Sequence, residues 1–178
     1  MTITLDGTAG MTAPVGAVYN GIQSSTAVAS TSGTSIDFTS IPSWAKRITV
    51  MFSGVGLNAT TDIQIQIGSG SFTTSGYGSS CARFNAGGTS LPAASFTSGF
   101  QAISGYTTGQ TGNGFATIVA MPNLSFGYSS NFASGTSNNT ISVSTGIVTL
   151  AGFLDRVRIT SVSGTAVFNA GSVNILYE

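Results

Sequence analysis

Alternation of apolar and polar residues with a period of two runs through this chain, and helical spacing does not. In "KRITVMFSG", Ile48, Val50 and Phe52 fall on one face and Arg47, Thr49 and Ser53 on the other. "DIQIQIG" sets Ile63, Ile65 and Ile67 against Asp62, Gln64 and Gln66. "RVRITSV" sets Val157 and Ile159 against Arg156, Arg158 and Thr160, and "SVNILYE" puts Val173, Ile175 and Tyr177 on one face. "TAVAST", "SIDFTS", "GFQAIS", "GFATIVAM", "LSFGYSS", "TISVS" and "GIVTLAG" are further strand candidates. Between them lies turn chemistry such as "SGTS", "GSGS", "AGGTS", "TGQTGNG" and "NAGS". Short strands at about ten-residue spacing predict an all-β fold, an antiparallel β-sandwich of jelly-roll-like arrangement. No stretch carries an apolar stripe long enough for a helix.

Two segments depart from that pattern. Residues 1–23 are Gly-rich with poor alternation, which predicts an extended N-terminal docking arm ahead of a β-sandwich domain over residues 24–178. Residues 69–114 mix Gly, Ser and Thr with scattered aromatics, which predicts long loops with one or two strands.

Composition narrows the function. Only 6% of the 178 residues are charged and the formal net charge is zero, so the chain has no field to draw nucleic acid or an anionic membrane. Every apolar run is broken by Gly, Ser or Thr, so no segment is expected to insert in a membrane. "MTITLDGTAGMTAPVGAV" has no basic start and makes a poor signal peptide. The single cysteine, Cys81, excludes an intramolecular disulfide and fits folding in a reducing cytoplasm. It reads as a small buried residue, with Arg83 its one nearby cation.

The chemistry for catalysis is thin. There is no histidine, which removes Ser-His-Asp and Cys-His arrangements. The acidic residues are Asp6, Asp37, Asp62, Asp155 and Glu178, none close to another in sequence, whereas a glycosidase needs two carboxylates about 5–9 Å apart. Zinc lacks ligands, and calcium would have Asp62 alone beside the carbonyls of "LNATTD". The expectation is a non-enzymatic protein with no catalytic residue, no metal and no cofactor.

"IPSWAKRITVMFSGV" holds the one tryptophan and two of the five basic residues. Pro42 is expected to end one strand and begin a turn. Trp44 is expected to close one end of the sandwich with its indole N–H on a backbone carbonyl. Lys46 and Arg47 would mark the solvated start of the next strand, with Asp155 or Asp37 beside them if "DRVRIT" runs alongside. Tyr77, Tyr106 and Tyr128 stand in or beside Gly/Ser-rich stretches, where amphipathic rings suit recognition of sugars or proteins.

Residues 32–77, "SGTSIDFTSIPSWAKRITVMFSGVGLNATTDIQIQIGSGSFTTSGY", resemble a segment recurring in tail fibre and tail-associated structural proteins of tailed bacteriophages and prophages. The shared pattern is IDFT-x-IP-x-W-x-KRITV-F-G-V followed by an alternating strand and a Gly-Tyr turn. "LDRVRITSVSGTAVFNAGSVNILYE" is similar to the C-terminus of such proteins, and "LDGTAGMTAP" resembles a short segment ahead of fibre domains. Residues 81–151 carry no such likeness. The resemblance implies a virion structural protein on the phage tail, assembled in the bacterial host cytoplasm, as a tail fibre or tail-tip module. It implies other virion proteins and itself as partners, the latter as a homotrimer, and a host-surface glycan or protein as a further partner. Leu5, Asp6, Met11 and Pro14 would then belong to the docking arm, and Tyr77, Tyr106 and Tyr128 would be receptor contacts. A capsid decoration or head-fibre protein, and a bacterial lectin or adhesin, are the alternatives in other classes.

Overall fold

The computed structural model describes residues 4–6, 10–12, 21–85, 90–135 and 140–178. Two antiparallel sheets face each other over one apolar core. The large sheet runs in the order β10 (Ser90–Phe96), β9 (Gly78–Asn85), β14 (Thr140–Thr149), β13 (Ser125–Ser134), β12 (Gly112–Ala120), β6 (Arg47–Leu57), β16 (Phe168–Tyr177) and β3 (Gln23–Ser24), with β4 (Val28–Ala29) also paired to β16. The small sheet runs β11 (Phe100–Ile103), β7 (Ile63–Ser69), β15 (Arg156–Ser161) and β5 (Ser35–Thr39), with β8 (Ser71–Phe72) on β7. The chain alternates between sheets from β5 to β6 to β7, and again from β15 to β16, as a jelly roll does. This is the all-β, sandwich-like fold that the alternation predicts.

The inward faces are the expected ones. Ile48, Val50 and Phe52 of β6, Ile63, Ile65 and Ile67 of β7, Val157 and Ile159 of β15, and Val173 and Ile175 of β16 are all buried. β-branched side chains dominate because they pack well on a pleated surface.

The segment 69–114 differs from expectation. It contains β8, β9, β10 and β11 rather than mostly loop. β9 escapes a period-two reading because its inward side chains are small: Ser79 and Cys81 are buried there. They are small and polar for a reason. One edge of β11 pairs with β7, and its other edge points at the large sheet. Unpaired edge groups must find partners when buried. Gln101 N–H donates to Ser79 Oγ (3.1 Å), Tyr128 OH donates to Gln101 O (3.0 Å), and Ser130 Oγ donates to Ala102 O (3.5 Å). "TISVS" and "GIVTLAG" also prove to be one strand, β14, continuous through Gly146 up to Thr149.

The charged residues sort differently too. Arg47 pairs with Glu178. Asp37 takes Arg158, its register partner across β5 and β15, at 2.6 and 2.8 Å, and Asp155 takes the adjacent Arg156 at 2.7 Å. Neither aspartate meets Lys46 or Arg47, because β6 and β15 lie in different sheets. Lys46 sits 5.9 Å from the centre of the Phe153 ring instead. Pro42 does open a turn, closed by Ala45 N–H on Pro42 O at 3.0 Å. Trp44 is half-buried and leans on Tyr177 with ring centres 5.8 Å apart. It covers the rim of the core and is not sealed inside it.

At the N-terminus, β1 (Thr4–Asp6) and β2 (Gly10–Thr12) form a hairpin with Leu5 opposite Met11. Leu5, Asp6 and Met11 therefore stand in paired strands, while Pro14 lies outside the described residues. The expected boundary after residue 23 cuts through β3, whose Gln23 and Ser24 pair with Tyr177 and Leu176 of β16.

Candidate functional site

The three tyrosines singled out by sequence are core residues, which corrects their reading as receptor contacts. Tyr77, Tyr106 and Tyr128 are 2%, 1% and 4% exposed. Each hydroxyl is tied to main chain. Tyr77 OH accepts from Ile67 N–H (2.8 Å) and donates to Thr73 O (3.0 Å). Tyr106 OH accepts from Leu57 N–H (2.8 Å) and donates to Gln110 O. Burial away from water disfavours the phenolate, which pushes the Tyr77 hydroxyl up to about 12 and the other two upward as well. They are pegs that hold neighbouring segments to the sandwich, and no partner outside the domain can reach them.

Asp62 is engaged within the domain. Its Oδ1 accepts Tyr106 N–H at 3.1 Å, and among the described residues no group of three or more acidic, His or Cys side chains is placed to hold a metal. Burial raises its carboxyl above the ordinary carboxylate range, against the lowering effect of backbone N–H groups and of Arg83. A raised folded-state value means that the native state binds the extra proton, so stability falls as pH rises through the window above about 4. Asp62→Asn should therefore flatten this dependence: the stability of the wild type relative to the variant declines with rising pH. Asp155, which its hydrogen bond to Arg156 holds low, is common to both proteins and drops out of the difference. Urea titrations across the acid range check this, and a gap constant with pH would refute it. Cys81 is 1% exposed, and its thiol is pushed up by burial, the opposite of what a nucleophile needs.

The candidate site lies on the outer face of the small sheet. There a groove of about 450 Å³ opens across β7, β15 and β5. Its floor is a grid set by strand register: Gln66 and Arg158 in one row, with Asp37 beside Arg158 just outside the groove, and Gln64, Thr160 and Ser35 in the next. These side chains face outward because Ile65, Ile67, Val157 and Ile159 take the inward positions. Turns supply the walls, Ser98 on one side and Ser161–Gly164 on the other. The walls bury Gln64 and Gln66 to 3% and 6% exposure and fix them: Ser98 Oγ donates to Gln64 Oε1 (2.9 Å), and Gln66 Nε2 donates to Ser98 O (2.9 Å). Arg158 is held by Asp37 in a two-pronged pair and lies over the Phe72 ring at 4.0 Å. Its charge is thereby answered within the protein, so the groove offers amide, hydroxyl and guanidinium donors and acceptors without a net field for anions.

Sequence alternation had set Gln64, Gln66, Arg158 and Thr160 on the outward face. It gave no sign that turns distant in sequence would wall that face into a groove. Comparison with known proteins returned no match among family models, curated proteins or solved structures.

Proposed function

We propose that the chain is a non-enzymatic structural module of a tailed-phage particle, a tail fibre or tail-tip module, that meets a glycan of the host surface through the groove over β7, β15 and β5. The observation that carries the contact is a rigid strand floor, fixed from beneath by the buried Gln64 and Gln66 amides, that presents Ser35, Ser98, Arg158 and the exposed Ser163 wall to the groove. Polyhydroxylated ligands are recognised by such preset hydrogen-bonding groups, and rigidity spares the ordering cost of binding. The resemblance supports the particle assignment. The quoted stretches that carry it, residues 32–77 and 154–178, come together in space: β15 pairs with β5 and β7, and β16 pairs with β6.

Two arms test this reading. Antibody against the chain should label the tail of released particles; label on the head would make it a capsid protein. Ser163→Tyr, which narrows the groove at its exposed wall, and Gln66→Met, which keeps volume but removes the amide that holds the Ser98 wall, should each weaken binding to surface glycans extracted from the host by about 10-fold or more. Thermal melts report whether the fold is kept. Binding should change little with salt, since few charges are available to screen. Unaltered glycan binding by both variants would remove the groove from the mechanism while leaving the particle assignment to the labelling.

A further inference from the structure

The large sheet has an outer face that the fold leaves uncovered and that is apolar where it should be polar. Phe84 on β9, Ile141, Val143 and Ile147 on β14, and Phe115 and Val119 on β12 are each 41–53% exposed. Register makes them one patch. Phe84 stands opposite Ile141, while Val143 and Phe115 flank Asn131 of β13 on either side. β14 is the clearest case. Its inward side chains include Thr140, Ser142 and Ser144, all buried, and its outward ones include Ile141, Val143 and Ile147 beside Thr145 and Thr149. The inward hydroxyls of this sheet have a use inside the domain, since those of Ser79 and Ser130, and of Ser142 toward Ser104 N–H at 3.5 Å, bond the free edge of β11 and the residue after it. Among the described residues, none covers the outward Ile141, Val143 and Ile147, which are 43–53% exposed. A one-residue slip of register would exchange the two sets, and the long pairing of β14 with β13 and β9 fixes it against that slip.

We infer that this face is where a second copy of the chain docks. This rests on the exposed face alone and not on the phage reading. Charge favours a like surface: the outward positions of β9, β12, β13 and β14 hold only apolar residues and Gly, Ser, Thr and Asn, so two copies meet without repulsion. A charged partner would find nothing to pair with. Area fits as well. Six side chains of this size, about half exposed, present on the order of 500 Å² of apolar surface, at the upper end of what monomers show. With the Ser, Thr and Asn side chains between them, the face approaches the roughly 800 Å² per partner of a stable interface.

Sedimentation velocity of the full chain tests it. The wild type should sediment as an oligomer at micromolar concentration. Val143→Asp, at the centre of the patch, should raise the dissociation constant at least about 100-fold with the melting temperature of the folded domain kept. Phe153→Asp, exposed and not on this face, should leave assembly as it was. If Val143→Asp fails to fold, Val143→Thr, which keeps the β-branched shape, decides: weakened association supports the interface, and unchanged association overturns it. A wild type that stays monomeric overturns the proposal whatever else it binds, and so does a folded Val143→Asp that assembles normally.

Discussion

Phe100→Ala lowers the stability of the domain by about 3–5 kcal/mol, measured by urea unfolding. Phe100 is fully buried on β11, between the two sheets. Its ring stacks on Tyr128 with centres 4.5 Å apart and planes parallel, and meets Tyr77 edge-on at 4.9 Å. The opposing strand has made room for it: a Cβ on Gly146 would stand 2.9 Å from Phe100 Cδ1. Truncation therefore leaves a void that the main chain of β14 cannot fill, because that strand is held on both sides by β13 and β9. Tyr77 and Tyr128 cannot swing in without giving up their bonds to Ile67, Thr73 and Gln101. A loss below about 1 kcal/mol would mean that the ring stack is not what joins the sheets at this end.

The same contact shows why parts of the fold were legible and others were not. β6, β7 and β15 each bury β-branched or aromatic residues on one face only, so alternation alone located them and oriented them. The pattern of β14 breaks into two pieces because Gly146 has the chemistry of a turn residue, and the reason for it, the Phe100 ring, comes from a strand far away in sequence. The tyrosines misled for a related reason. Gly and Ser around them suggested loops, but what decides their place is the backbone groups of Ile67, Leu57 and Gln101 that their hydroxyls reach. Period-two patterning also cannot say which face turns inward when both are neutral, and β14 turns its hydroxyls in and its isoleucines out. The candidate groove stands between these cases: its floor was legible as the polar side of β7 and β15, its walls were not.

Gly171→Ala combines two penalties, a left-handed backbone and a main-chain collision. β16 bulges against β6 between Ala170 and Ser172. There Gly171 and Gly54 face each other with φ of +86° and +61°. A Cβ on Gly171 would lie 2.4 Å from the carbonyl carbon and oxygen of Gly54 and from Ser53 O, all main-chain atoms that no rotamer change moves aside. Gly54 is itself fixed, its N–H donating to Asn113 Oδ1 at 2.8 Å. Backbone strain of about 1–3 kcal/mol for a left-handed non-glycine residue adds to an overpacking cost of similar size. The sum approaches the whole stability of a small domain, so the variant should accumulate as insoluble or unfolded protein. Gly70→Ala separates the two causes. Gly70 has φ +72° but no atom within 4 Å of the added methyl, so it carries the strain without the collision. Its loss should stay near about 1 kcal/mol. Equal losses at the two glycines would show that φ alone matters and that the β6–β16 bulge yields to a methyl group.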